Sequence, residues 1–403
     1  MINKDFILKF IEKQAYDLRI SNNARWIDQK CTPDVLSIVS DCILNYIELN
    51  DEFTLFNSKD IWLADYTKEN VELIFSKPDT KQKKTANEYD KFFAQPLELL
   101  AYSNVLKKFK KGRYNYYQVN EEKILEYIAL KEKNSLEFLY LYINEVLKQS
   151  DLIDDFTDFF NTQSKESYYK LKSKFVEFII ENTKINKSLE VRRIFTKIIN
   201  PLAFKLKKKG TAKGRISKNI ITYSNLMYNQ ENFRDINNEK PKNITRNEWA
   251  SIHKKEVNVE YFKYQSIKSK RFIKKYNDNY RNGVSEVNDG DKELATQVHH
   301  IFPQNEYPEI SMYYENLIAL TPNQHFIKAH PENNTQIIDE SYQEILLKSK
   351  AGIIEEDFNK NGDNSIYNFD QLISVLNVGF NNNYEIYDND FIAVMEAINA
   401  YYR

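Results

Sequence analysis

Residues 296–303 read Thr296-Gln297-Val298-His299-His300-Ile301-Phe302-Pro303. After a loop the chain resumes as Asn316-Leu317-Ile318-Ala319-Leu320-Thr321-Pro322-Asn323-Gln324-His325, and then Ala329-His330-Pro331. Four of the five histidines in the chain (His299, His300, His325 and His330) fall in this stretch. Histidine titrates near neutral pH and is the commonest metal ligand, so such a concentration marks a site. The surrounding residues predict its local fold. Residues 296–300 read as a short strand ending in the two histidines, and Leu317 to Leu320 as a second strand. Thr321 is a helix cap and Pro322 a first helical position. A helix is therefore expected to start there, carry His325 in its first turns and stop near Pro331.

The pattern His299-His300-Ile301-Phe302-Pro303, Asn316-Leu317-Ile318-Ala319-Leu320 and His325 resembles the ββα-metal fold of HNH endonucleases. The nine-residue spacing from Asn316 to His325 fits that family too. The resemblance implies that His300 is the general base that activates water. It implies that His299 sits at a metal-ligand position, which is Asp in many relatives. Asn316 would tie the long loop and orient the base, and His325 would be the metal ligand on the helix. His330 lies five residues after His325, a poor match to one helix face. It is carried as a metal-ligand candidate, beside readings as a phosphate contact or a surface residue.

The implied cofactor is one divalent ion per site, Mg²⁺ first, with Mn²⁺ or another transition metal as alternatives. Physical chemistry supports such a set. A neutral imidazole can take a proton from water at neutral pH. A divalent ion can neutralise a phosphoryl oxygen, and an Asn can fix a ring and its tautomer. Adjacent strand residues point to opposite faces. Both histidines can act only if the strand ends or twists there, and Pro303 is consistent with that break. No Cys-x-x-Cys pair is present, so the structural zinc of some relatives is not expected.

Composition sets the frame. The chain has 403 residues, with 28 Tyr and 25 Phe against 8 Gly and 9 Pro, which predicts a mainly helical protein with small β elements. The formal net charge is −1, so nucleic-acid binding must rest on local basic faces. Cys31 and Cys42 have no zinc-type spacing and read as buried reduced thiols of a cytoplasmic protein. No signal peptide and no membrane-spanning run is seen.

Three regions are expected. Residues 1–120 form a winged-helix-like DNA-reading domain. Thr32-Pro33 starts an amphipathic helix carrying Val35, Ile38, Val39, Cys42, Ile43, Tyr46 and Ile47. Ser58 and Thr67 read as caps of short helices, and Thr85 with Glu88 as a capping box whose helix would enter the major groove. Pro96 is expected to kink or end that helix. Strands over 104–109 and 114–119 make a hairpin whose Lys107, Lys108, Lys110, Lys111 and Arg113 would ride on phosphates.

Residues 121–237 read as a helical connector. It ends in an acid-free run with Lys207, Lys208, Lys209, Lys213 and Arg215 as phosphate contacts, made loop-like by Gly210 and Gly214. Residues 238–403 hold the HNH nuclease domain with C-terminal helices. A linker is expected over 238–247, and a helix with a positive face over Lys263, Lys268, Lys270, Arg271, Lys274, Lys275 and Arg281. Pro33-Asp34 with Glu121-Glu122-Lys123 could suggest a different nuclease core, but both lie in predicted helix.

The wider chain resembles a bacterial type II restriction endonuclease of the HNH class, strongly over 296–340 and more weakly over residues 24–34. The resemblance implies metal-dependent, sequence-specific cleavage of double-stranded DNA, with a homodimer matching two strands and a cognate DNA methyltransferase in the same system. Open alternatives are a modification-dependent or homing HNH endonuclease, or a DNA-binding regulator with a degenerate nuclease module.

Overall fold

The computed structural model describes residues 4–50, 53–75, 86–228, 246–290, 293–330, 338–362, 365–387 and 389–403. Thr85, Pro331 and the expected linker over 238–247 lie outside the described residues, apart from the first two positions of a helix at 246–247. The protein is mainly α with small antiparallel strand pairs, as its composition predicts. The chain divides into two compact units, residues 2–251 and 252–403.

The first unit is built on α1 (Lys4–Glu12), α2 (Leu18–Ser21), α3 (Pro33–Asn50), α4 (Ser58–Trp62), α5 (Asp65–Phe75) and α6 (Ala86–Tyr102). A hairpin of β1 (Leu106–Lys111) and β2 (Tyr114–Val119) follows. Then come α7 (Glu122–Leu130), α8 (Glu132–Gln149), α9 (Ile153–Thr162), α10 (Lys165–Asn182) and α11 (Ser188–Lys205). Helix α3 starts at Pro33 as expected. Over 33–43 it is buried all round rather than on one stripe, because α6, α7 and α8 all pack on it. The Asp34 carboxylate on it accepts from the Tyr228 backbone N–H at 2.9 Å, which gives this acid a structural task.

Several local expectations need correction. Asn57, not Ser58, caps α4, in a reciprocal box with Asp60. Thr67 lies buried inside α5 rather than at its start. Helix α6 runs through Pro96 without ending there. The run after α11 is no loop: β3 (Lys209–Ala212) pairs with β4 (Arg215–Ile220). Lys213 and Gly214 both have positive φ, 51° and 77°, the signature of a two-residue type I′ hairpin turn. Gly210 is a strand residue, and a Cβ there would lie 2.5 Å from Asn200 Oδ1.

The second unit contains α12 (Arg246–Tyr280) from Ile252 onward, β5 (Gln297–His300), β6 (Leu317–Leu320), α13 (Glu340–Asn361), α14 (Phe369–Gly379) and α15 (Phe391–Tyr401). Strands β5 and β6 are antiparallel, with Gln297 opposite Leu320 and His300 opposite Leu317. All four residues of β6 are buried, which explains why its Leu-Ile-Ala-Leu run is apolar without alternation.

A buried ion pair braces this sheet. Lys350 of α13, fully buried, donates to Glu286 at 3.2 Å and to the Tyr367 hydroxyl at 3.0 Å. Glu286 in turn accepts from the Ala319 N–H at 2.8 Å, and its own N–H donates to the Ala319 carbonyl at 2.9 Å. Among the described residues no helix is long and apolar enough to cross a membrane. Cys31 and Cys42 are buried free thiols.

Two glycines in this unit should respond in opposite directions. A Cβ on Gly379 would run into the Phe302 ring, so Gly379→Ala should cost roughly 1–3 kcal/mol. Gly352 lies exposed within α13 with open space around it, so Gly352→Ala should stabilise by about 0.5–1 kcal/mol. Urea unfolding midpoints at constant m-value test both signs.

Candidate metal centre and general base

The pleat of β5 sends its two histidines to opposite sides. His299 faces His325 and His330. The ring centroids are 5.1 Å apart for His299–His325, 4.9 Å for His299–His330 and 5.1 Å for His325–His330. One ring nitrogen from each lies within 4.8 Å of the others. The Nε2 of His299 and Nδ1 of His325 are buried without a hydrogen-bond partner. Two open nitrogens in one buried place are costly to leave unmatched.

The turn that carries His325 was expected as ordinary helix. It is a π-helical turn, Gln324–Lys328, closed by the Ala329 N–H donating to the Gln324 carbonyl at 2.9 Å. In an α-helix residues five apart lie on different faces. An i→i+5 turn brings them one hydrogen-bonded turn apart. This geometry joins His330 to the cluster, although spacing alone had left it ambiguous.

Gln324, fully buried, fixes that turn and went unnoticed in the sequence. Its Oε1 accepts from the Thr321 N–H at 3.1 Å, and its N–H donates to Thr321 Oγ1 at 3.2 Å. Its amide also donates to the Val287 carbonyl and to Asp289. The signal was available, since Thr-x-x-Gln is a capping box.

His300 points to the other side of the strand. Its Nε2 lies 3.1 Å from the Ser311 carbonyl and 2.8 Å from Ser266 Oγ of α12. A carbonyl can only accept, so Nε2 carries the hydrogen and Nδ1 keeps the lone pair. Among the described residues that Nδ1 has no hydrogen-bond partner. Ser266 had not been singled out, and no local signal pointed to a contact 34 residues away.

Asn316 does tie the long loop. Its Oδ1 accepts from the Phe302 N–H at 2.8 Å, and its Nδ2 donates to the Phe302 carbonyl at 3.1 Å. It makes no hydrogen bond to His300; Ser311 and Ser266 hold that ring instead.

Burial and neighbouring charge keep His299, His300 and His325 neutral. Burial, then the neighbouring His325 and His330, holds His299 well below its usual pKa. Burial and then the Lys270 charge push His300 down to about 3, partly offset by the Ser311 carbonyl. Burial, then His330 and Lys270, lowers His325 to about 4. Neutral imidazole is the form that binds metal or accepts a proton.

The basic residues separate into several environments. Lys107, Lys110, Lys111 and Arg113 are exposed on the first hairpin, Lys111 beside the Tyr116 ring. Lys108 is instead ion-paired to Glu98 at 2.7 Å. On and before the second hairpin Lys207, Lys213 and Arg215 are exposed, while Lys208 and Lys209 are half-buried. On helix α12 Lys263, Arg271 and Lys275 are exposed. Lys268 is buried, Lys270 half-buried, and Lys274 pairs with Asp278 on the same helix.

With metal removed by a chelator, these histidines should make the second unit acid-sensitive. Their folded pKa values lie below about 6.5, the unfolded value. The unfolded chain therefore binds more protons in that window. Stability is full above about pH 6.5 and is lost as pH falls toward the folded values. The melting temperature should drop progressively between about pH 6.5 and about pH 4, and His300→Gln should reduce the drop. A flat profile would contradict the burial-driven shifts.

Compared with protein-family models, with curated proteins and with solved structures, the chain finds no match in any of the three.

Proposed function

We propose that this chain is a metal-dependent DNA endonuclease of the HNH, ββα-metal type, acting as a sequence-specific type II restriction enzyme. One observation carries the reading. Two antiparallel strands and a helical turn present His299, His325 and His330 as a three-nitrogen cluster, with a neutral His300 on the opposite side of the same strand.

The cluster fits a bound cation. The unpartnered Nε2 of His299 and Nδ1 of His325 are the atoms a cation would satisfy. Nitrogens of a tetrahedral site with bonds near 2.1 Å sit about 3.4 Å apart, so small ring rotations would close the present 4.8 Å. An all-imidazole donor set suits a zinc-, cobalt- or nickel-like ion, whereas Mg²⁺ takes oxygen ligands. The expectation of Mg²⁺ therefore gives way to a transition metal. When bound, such an ion supplies Lewis-acid polarisation of a phosphoryl oxygen.

The protein's own groups would do the rest. His300 Nδ1 accepts the proton of the attacking water, while the Ser311 carbonyl holds the tautomer through Nε2. A pKa near 3 is low for a base, but the negative charge of a phosphodiester beside the ring would raise it. Asn316 shapes the loop that supplies the Ser311 carbonyl.

Specificity is assigned to the first unit, read as a winged-helix-like reader with a helical connector. Lys107, Lys110, Lys111 and Arg113 on one hairpin, with Lys207, Lys208, Lys213 and Arg215 at the other, would contact phosphates. The reader rests more on these hairpins than on α6. Glu88, Gln95 and Glu98 of that helix bond inside the unit, leaving Asn87, Asp90 and Lys91 exposed. Double-stranded DNA is the partner, and a homodimer would supply one site per strand. A cognate methyltransferase would protect the host sequence.

A plasmid digest with Mg²⁺, Mn²⁺, Zn²⁺, Co²⁺ and Ni²⁺ tests this directly, with sequencing of the ends. Discrete fragments with defined ends are expected. Binding of DNA without cutting under every metal would replace the enzyme by a regulator. His300→Ala should slow cleavage by about 10²–10⁴-fold and leave DNA affinity unchanged. His325→Ala should lose the metal, seen by calorimetry as loss of one equivalent bound.

A further inference from the structure

Helix α12 brings a second group to this site besides Ser266. Lys270 lies one turn after Ser266 and so on the same helix face. That face is turned toward the site: Ser266 Oγ contacts His300 at 2.8 Å, and Ser269 Oγ donates to the Met312 carbonyl at 2.7 Å. Ile273, the next residue on it, is buried. The Lys270 charge helps to lower the pKa of His299, His300 and His325, as expected of a cation on this face of α12.

Lys270 is also unmatched. Other cations of this unit have counter-charges: Lys274 with Asp278, Arg281 with Glu356, Lys328 with Asp289 and Lys350 with Glu286. Lys270 is half-buried, and among the described residues it has no acidic partner. Withdrawing an ammonium from water without an opposite charge is unfavourable, and burial lowers its pKa. A cation kept in that state beside neutral imidazoles calls for an anion that arrives from outside.

The geometry points to Lys270 as the catalytic cation that binds the scissile phosphate. The role rests on the nuclease reading above. In the step, a water oxygen bonds to phosphorus and its proton passes to His300. The P–O ester bond breaks, and the leaving alkoxide takes a proton from solvent. Lys270 keeps its protons throughout and donates a hydrogen bond to a non-bridging oxygen as charge builds there.

Lys270→Met keeps the length and removes the charge; Lys270→Arg keeps the charge. Single-turnover cleavage by Lys270→Met should fall by about 10²–10³-fold, with Lys270→Arg recovering most of the loss. The bound-metal equivalent should be unchanged, and the melting temperature equal or higher, since an unmatched charge is removed. A lysine with a merely structural role would lower the melting temperature.

Inorganic phosphate gives a readout free of cleavage. At millimolar concentration it should raise the melting temperature of the metal-loaded wild type and not that of Lys270→Met. Equal phosphate protection of both proteins overturns the Lys270 role, whether or not the chain cuts DNA. So does a Lys270→Met enzyme that cuts as fast as wild type. A wild type that is protected by phosphate through Lys270 yet cuts no DNA overturns the nuclease reading and leaves the anion site standing.

Discussion

Two adjacent residues on a strand cannot share a face, and this constraint organises the second unit. With His299 and His300 side by side at the end of β5, one ring must look toward the turn after β6 and the other toward α12. The chain answers each separately. His325 and His330 meet His299, while Ser266 and the Ser311 carbonyl meet His300. The proposed metal-ligating and proton-accepting groups are thus separated by one peptide unit, each with its own set of partners.

That division holds only if β5 and β6 keep their register, and the fastening lies outside the histidine stretch. Glu286 clamps Ala319 through its backbone and its carboxylate, and Lys350 neutralises that carboxylate from α13. Removing one partner of a fully buried pair typically costs about 3–5 kcal/mol, because the other charge is left stranded. A well-packed apolar pair could match the stability but not the hydrogen bond to the Ala319 N–H. The ion pair therefore serves position at least as much as stability.

The sequence made the local features of the site readable and left the distant ones hidden. Leu317–Leu320 was legible as a strand because a short apolar run between polar flanks has few other solutions. The start after Thr321-Pro322 was legible because capping is a local code. The π-helical turn was not, since nothing in Gln324–Lys328 disfavours an ordinary helix; the burial of Gln324 and its contacts to residues 285–289 select it. Ser266 and Lys350 escaped notice because their partners lie 34 and 64 residues away. The second hairpin was missed for another reason. Lys213-Gly214 is good type I′ turn chemistry, but the lysines around it leave no apolar alternation to mark the flanking strands.

The π-helical turn has a consequence for how this site tolerates changes in length. A π turn holds one more residue than an α turn between the same hydrogen-bonded ends. Shortening the segment between His325 and His330 by one position would let it relax to ordinary helix, with all three histidines still present. His330 would then lie four residues after His325, one α turn away and still on its face. Lengthening the segment by one position would instead set His330 six residues after His325, a spacing that neither an α nor a π turn closes, and the proposed cluster would fall from three nitrogens to two through a shift of phase alone. The proposed coordination number is thus set by counting residues along a helix as much as by which residues they are.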